Sequence, residues 1–232
     1  MKLFRPFFAL TILPALLAAA VPDRMAPLSS YLMGRNAEIA LARSAAPPSI
    51  SNHATVLVLT PHGYVVAVQG NNGFTCYVDR AWTQPFDDRR FWNPRLRGPM
   101  CLNPQATRTI LPYAFKRTAW ALSGATKAEI MARMKASVAA RALPTPEPGS
   151  MSYMMSKHQY LNDAAKAWYP HVMLYEPKAD GAKGGKDWGA NRLCSPVVYD
   201  SFHHINPEPW SIFYVPVAHW SDGSPAPVYT GT

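Results

Sequence analysis

Acidic residues are scarce in this chain. Against 23 Lys and Arg stand only 14 Asp and Glu, a formal charge of +9 over 232 residues. Such a balance favours anionic partners such as lipid headgroups, cell-wall polymers or nucleic acid, although positive charge also serves solubility. Cysteine is scarcer still, with three residues and no Cys-x-x-Cys pair, so a thiolate metal site has little support. No Asn-x-Ser/Thr sequon occurs, which fits a bacterial source. Also missing are a Gly-x-Ser-x-Gly elbow, a His-Glu-x-x-His helix and a Ser-x-x-Lys nucleophile: Ser156 adjoins Lys157, while Ser150 and Ser152 lie at the wrong spacing from it. Beyond the N-terminal run, no stretch is long and apolar enough to span a bilayer.

That run, MKLFRPFFALTILPALLAAA, has the three parts of a secretory signal peptide. Lys2 and Arg5 precede an uncharged segment from Pro6 to Pro22, and Ala18-Ala19-Ala20 offers a peptidase site. The alternative, a retained anchor, fits less well because Pro14 interrupts a run shorter than a typical span. Cleavage would remove residues 1–20 and leave 21–232, a length suited to one globular domain in the periplasm or secreted. No cysteine follows the apolar run, so a lipid-modified N-terminus is not expected. Hydrophobic residues at 48% and charged ones at 16% describe a folded chain.

In an oxidising compartment Cys76, Cys101 and Cys194 allow three pairings. Cys76 with Cys101 is the expected one, closing a loop-rich segment for about 3 to 3.5 kcal/mol in the chain-entropy model. Cys194 then remains as a buried thiol or an intermolecular bridge.

Residues 36–45 read as a short helix capped by Asn36, with Ile39 and Leu41 among its apolar positions. ATVLVLT, YVVAVQ and FTCYVD follow, separated by PHG and GNNG, and predict a three-strand antiparallel meander. Alternation puts Phe74, Cys76 and Val78 on one face and Thr75, Tyr77 and Asp79 on the other. Residues 84–104, with four prolines and four arginines, read as an extended loop. Asn103-Pro104 starts a helix that Pro112 kinks or restarts and Gly124 stops. Thr126 and Glu129 have capping-box spacing ahead of Ile130, Met134 and Val138, the clearest helix in the sequence. After a stiff PTPEPG connector at 144–149, residues 150–168 read as a strand turning into a helix over 162–168. HVMLYE, SPVVYD and WSIFYVPVAHW read as strands, the last one central because both its faces are apolar. The expected class is α+β, a mainly antiparallel sheet with helices segregated to one side.

Three chemistries are worth placing. GAKGGKDW, within a Gly/Lys loop at 178–192, mimics a phosphate-binding loop. However, Gly181 precedes Gly185-Lys186 by one residue too few, and Asp187 replaces the magnesium-binding hydroxyl. The adjacent His203 and His204 would point to opposite faces of a strand, so binding one metal together is disfavoured. Either could instead join His171, His219 or Asp200 in a metal or hydrolytic site, and structural histidines are the plainer reading. Arg89, Arg90, Arg95 and Arg97, with Lys183 and Lys186, form a candidate polyanion surface interleaved with Phe91 and Trp92. The plainer reading pairs Arg89 and Arg90 with Asp87 and Asp88.

The favoured function is an exported, non-enzymatic binding or structural protein. Its partner could be an anionic or glycan component of the envelope, and neither a cofactor nor a nucleic-acid motif is called for. A histidine- or metal-dependent hydrolase and a polyanion or membrane-surface binder are the alternatives.

Overall fold

Val56 to Leu59 are all apolar and all buried, so strand β1 (Thr55–Thr60) must lie where both faces of a sheet are covered. It pairs antiparallel with β2 (Gly63–Val68) through a tight turn in which Gly63 takes φ +111°. β2 is an edge strand, and Val65 and Val66 are exposed on it. The computed structural model describes residues 23–164, 166–177 and 206–227 together with the backbone of 199–200.

The expected meander does not form. β3 (Thr75–Asp79) lies on the other side of β1 and runs parallel to it, Thr55 facing Thr75 and Val56 facing Cys76. The cause is the Gly-Asn-Asn-Gly connection. Gly70 donates its N–H to Thr55 Oγ1 at 3.1 Å, and Asn71 donates to the His53 carbonyl at 2.9 Å. These bonds draw the chain across the start of β1 instead of back along β2. A Cβ on Gly70 would overlap the backbone of residues 53–55, so only glycine permits the crossing.

From β3 the sheet continues through β4 (Gly98–Leu102), β5 (Met151–Met154), β6 (His171–Pro177) and β8 (Trp210–Pro216) to β7 (Tyr199–Asp200). These later pairings are antiparallel, so the eight-stranded sheet is mixed and mostly antiparallel. β4 sits centrally inside the segment read as a loop. Its proline hid it, since Pro99 lacks a donor; β5 pairs with β4 only at Cys101 and Leu102 and leaves Pro99 unchallenged. The helix expected over 162–168 is absent among the described residues there. Asn162 Oδ1 accepts from Ala164 N at 2.9 Å and Lys166 adopts φ +60°, a local turn that competes with helix.

Helices cover both faces rather than one. α1 (Arg35–Arg43) packs over Val56, Cys76, Val78 and Cys101. α3 (Pro104–Thr109) and α4 (Leu111–Leu122) cover Leu57, Tyr77, Met100 and Leu102 on the opposite face. Apolar side chains of β1 and β3 point to both faces, Val56, Cys76 and Val78 to one and Leu57 and Tyr77 to the other, and each face therefore needs its own helical layer. The short α2 (Pro48–Ser51) precedes β1. α1 starts from Gly34, so Asn36 lies inside the helix instead of capping it. Asn103 caps α3 by accepting from Ala106 N at 2.9 Å, and Pro112 restarts the chain as α4. α5 (Lys127–Ala139) carries the full Thr126–Glu129 capping box.

A buried ion pair ties α1 to the sheet. Arg80 Nη2 lies 2.7 Å from Glu38 Oε1, and both side chains are wholly buried. Arg80 Nε donates to the Tyr31 carbonyl at 2.9 Å, and Leu59 N donates to Glu38 Oε1 at 3.1 Å. Cys76 and Cys101 face each other across β3 and β4 at disulfide distance, Cα to Cα 4.0 Å, beneath α1. Among the described residues no helix is long and apolar enough to cross a membrane. The leader at 1–20, Cys194, and most of SPVVYD lie outside the described residues, as does the Gly/Lys loop.

Candidate functional site

On the face covered by α3 and α4, sheet and helix part to leave a cleft of about 140 Å³. Its floor follows from strand register. Tyr77 on β3 faces Met100 on β4, and Met154 on β5 faces His171 on β6. The Cys101–Tyr153 pair sets Met100 and Met154 one step further along, side by side. Next to this row Asp79 faces Gly98, whose missing side chain leaves room above the floor. Tyr113, Ala114 and Arg117 of α4 form one wall, and Glu208, Trp210 and Tyr214 form another.

Among the described residues, Asp79 Oδ1 and His171 Nε2 find no partner in this cleft. Asp79 is buried, and its Oδ1 accepts no hydrogen bond. Burial pushes its carboxyl up to about 6, with the Thr83 and Tyr77 hydroxyls acting in the opposite direction. His171 is also buried, and its Nδ1 lies 2.5 Å from the Tyr169 carbonyl. That contact requires a proton on Nδ1, so Nε2 carries the lone pair and is an acceptor without a donor. Burial pushes the imidazole down to about 4, against the pull of the Tyr169 carbonyl, so the ring is neutral near pH 7.

The cationic side chain lining the cleft is already engaged. Arg117 pairs with Glu208, donates to the Gln84 carbonyl at 2.7 Å, and lies with its guanidinium carbon 4.1 Å from the Phe86 ring centre. The Tyr175 hydroxyl rests against Ser152 Oγ at 2.9 Å and the Met100 and Met173 thioethers at 3.7 and 3.9 Å. Burial raises the Tyr175 phenol and pushes that of Tyr214 up to about 12, so both stay protonated. The cleft therefore combines aromatic walls, thioethers, and two acceptors that water or a ligand must satisfy.

Of the histidines marked in the sequence, only His171 among the described residues enters the cleft. His219 is exposed, in a short bridge to Pro225. His203 and His204 lie outside the described residues, and for Asp200 only the backbone, paired with Phe213, is described. Among the described residues no three His, Cys, Asp or Glu side chains converge to hold a metal. The arginines of 89–97 are mostly occupied. Arg90 pairs with Asp88, and Arg95 pairs with Asp163 while its guanidinium carbon lies 4.5 Å from the Tyr160 ring centre. Arg97 donates to the Pro94 and Leu96 carbonyls. Arg89 is exposed, whereas Phe91 and Trp92 are buried; Lys183 and Lys186 lie outside the described residues.

Asp79, Arg117 and Glu208 carry no motif. Asp79 alone left a signal, because alternation along FTCYVD put a carboxyl on the same face as Tyr77. The chain matches no protein-family model, no curated protein and no solved structure.

Proposed function

We propose that this is an exported binding protein of the cell envelope or extracellular space, which holds a small ligand in the cleft between its sheet and α4. The observation that carries the reading is that Asp79 Oδ1 and His171 Nε2, two buried acceptors without partners, line one cleft. Buried acceptors left unmatched cost about 1–3 kcal/mol each, a cost that a bound donor relieves. The leader-like N-terminus and the Cys76–Cys101 pair support an oxidising destination. Binding fits better than turnover because an imidazole held near 4 is a weak base at neutral pH.

The test is a thermal-shift screen of small metabolites against the chain purified after export, repeated on Ala114→Leu, which fills the cleft from α4. Compounds that stabilise the wild type and not the variant support the reading. A library that shifts neither, or shifts both equally, sinks it and leaves a cleft filled by water.

A hydrolase remains the second reading, favoured by the fixed tautomer of His171, which turns an unprotonated Nε2 into the cleft. It requires His171→Gln to abolish a measurable ester or amide hydrolysis while leaving the fold intact.

A further inference from the structure

Resting on the cleft as a binding site, we infer that its ligand is a small organic cation with N–H donors, an alkylammonium group, paired with Asp79 Oδ1. Each feature of the cleft selects for that chemistry. An acceptor calls for a donor, and here a carboxyl oxygen and an imidazole nitrogen both lack one. A carboxylate or phosphate ligand would set its own acceptors against both. A quaternary ammonium has no N–H to offer.

Charge leads to the same class. Arg117 is neutralised by Glu208 and bound to the Gln84 carbonyl, so it has little left for an anion. Arg80, which precedes the cleft from the end of β3, is held by Glu38. Among the described residues Asp79 thus faces the cleft without an ion-pair partner of its own, and an ammonium group would supply one where water is largely excluded.

The walls complete the match. Trp210 stands edge-on to Tyr113 with ring centres 4.3 Å apart and to Tyr175 at 6.2 Å. Ring faces attract a cation, more so when it is desolvated. Met100, Met154 and Ile110 offer apolar surface for an alkyl stem. A cavity near 140 Å³ has room for about six heavy atoms. The chain's excess of base opposes the approach of any cation, so affinity must come from the pair formed inside.

Three isosteric probes test this in calorimetric titrations of the exported chain: n-butylammonium, n-butanol and butyrate. Butylammonium should bind saturably, more than tenfold tighter than the other two. Asp79→Asn, which preserves shape and removes the charge, should weaken it at least tenfold. Gly98→Val, which narrows the cleft beside Asp79 and leaves the carboxyl in place, guards against misreading a folding defect. It should block butylammonium while the circular dichroism spectrum stays native. Butylammonium binding that Asp79→Asn leaves unchanged overturns the inference, as does no binding by any probe. Butyrate or butanol binding at least as tightly, and lost in Ala114→Leu, also overturns it but leaves the cleft a binding site.

Discussion

Asp79 stands directly opposite Gly98, and a Cβ at position 98 would come within 3.4 Å of both Asp79 Cβ and Met154 Cε. The open space beside the carboxyl therefore exists because residue 98 has no side chain. Gly98→Val should cost about 1–3 kcal/mol through overpacking and close that space. Urea denaturation measures the first effect, and loss of any cleft-dependent thermal shift measures the second.

Asp79 and His171 make opposite demands on pH. The Asp79 carboxyl, raised from 3.8 to about 6, holds its proton more tightly folded than unfolded. Its contribution to stability is full below 3.8 and is lost as pH rises through 6. His171, lowered from 6.5 to about 4, stays neutral in the fold where the unfolded ring is charged. Its contribution is present above 6.5 and is lost as pH falls through 4. The two slopes oppose each other across the same window, each worth on the order of 3 kcal/mol. Asp79→Asn should therefore gain stability from pH 4 to 6.5 more steeply than wild type, and His171→Gln should lose it. Denaturation midpoints at closely spaced pH values would show parallel curves for both variants if the two groups titrate normally.

Removing one member of the Glu38–Arg80 pair strands a buried charge. Glu38→Ala should destabilise by about 3–5 kcal/mol. By contrast, Asp163→Ala, which breaks the exposed pair with Arg95, should cost less than about 1 kcal/mol. Chemical denaturation of both variants tests the contrast, and equal losses would contradict it.

For the cysteines, alkylation of the chain produced in an oxidising periplasm, under denaturing, non-reducing conditions, should label Cys194 alone. Reduction beforehand should expose Cys76 and Cys101 and lower stability by about 2–4 kcal/mol. Peptide mapping by mass spectrometry reads the labelled positions directly.

Local signals made much of the scaffold legible. The Thr126–Glu129 box, the Asn103 cap and the alternation of FTCYVD each act within a few residues, and each holds in the structure. The errors lie where a distant partner decides. Whether β3 joins β2 or β1 depends on how Gly70 passes residues 53–55. Pro99 looks like a loop residue until β5 is seen to stop short of it. Asn162 looked helical, but its own side chain turns the backbone elsewhere. The cleft was least legible of all, since Asp79, Arg117, His171 and Glu208 come from separate elements. The pairing of Arg117 with Glu208 has no expression in spacing.

The two thiols beneath α1 impose an order of events on the newborn chain. Both are wholly buried, and Cys101 Sγ lies 3.9 Å from the Ala42 carbonyl of the helix above. An oxidant can reach them only while residues 35–43 are still undocked. β3 and β4 must therefore meet before the first helix settles. Once it has settled, the Glu38–Arg80 lock that holds α1 in place also shields the sulfurs from any reductant outside.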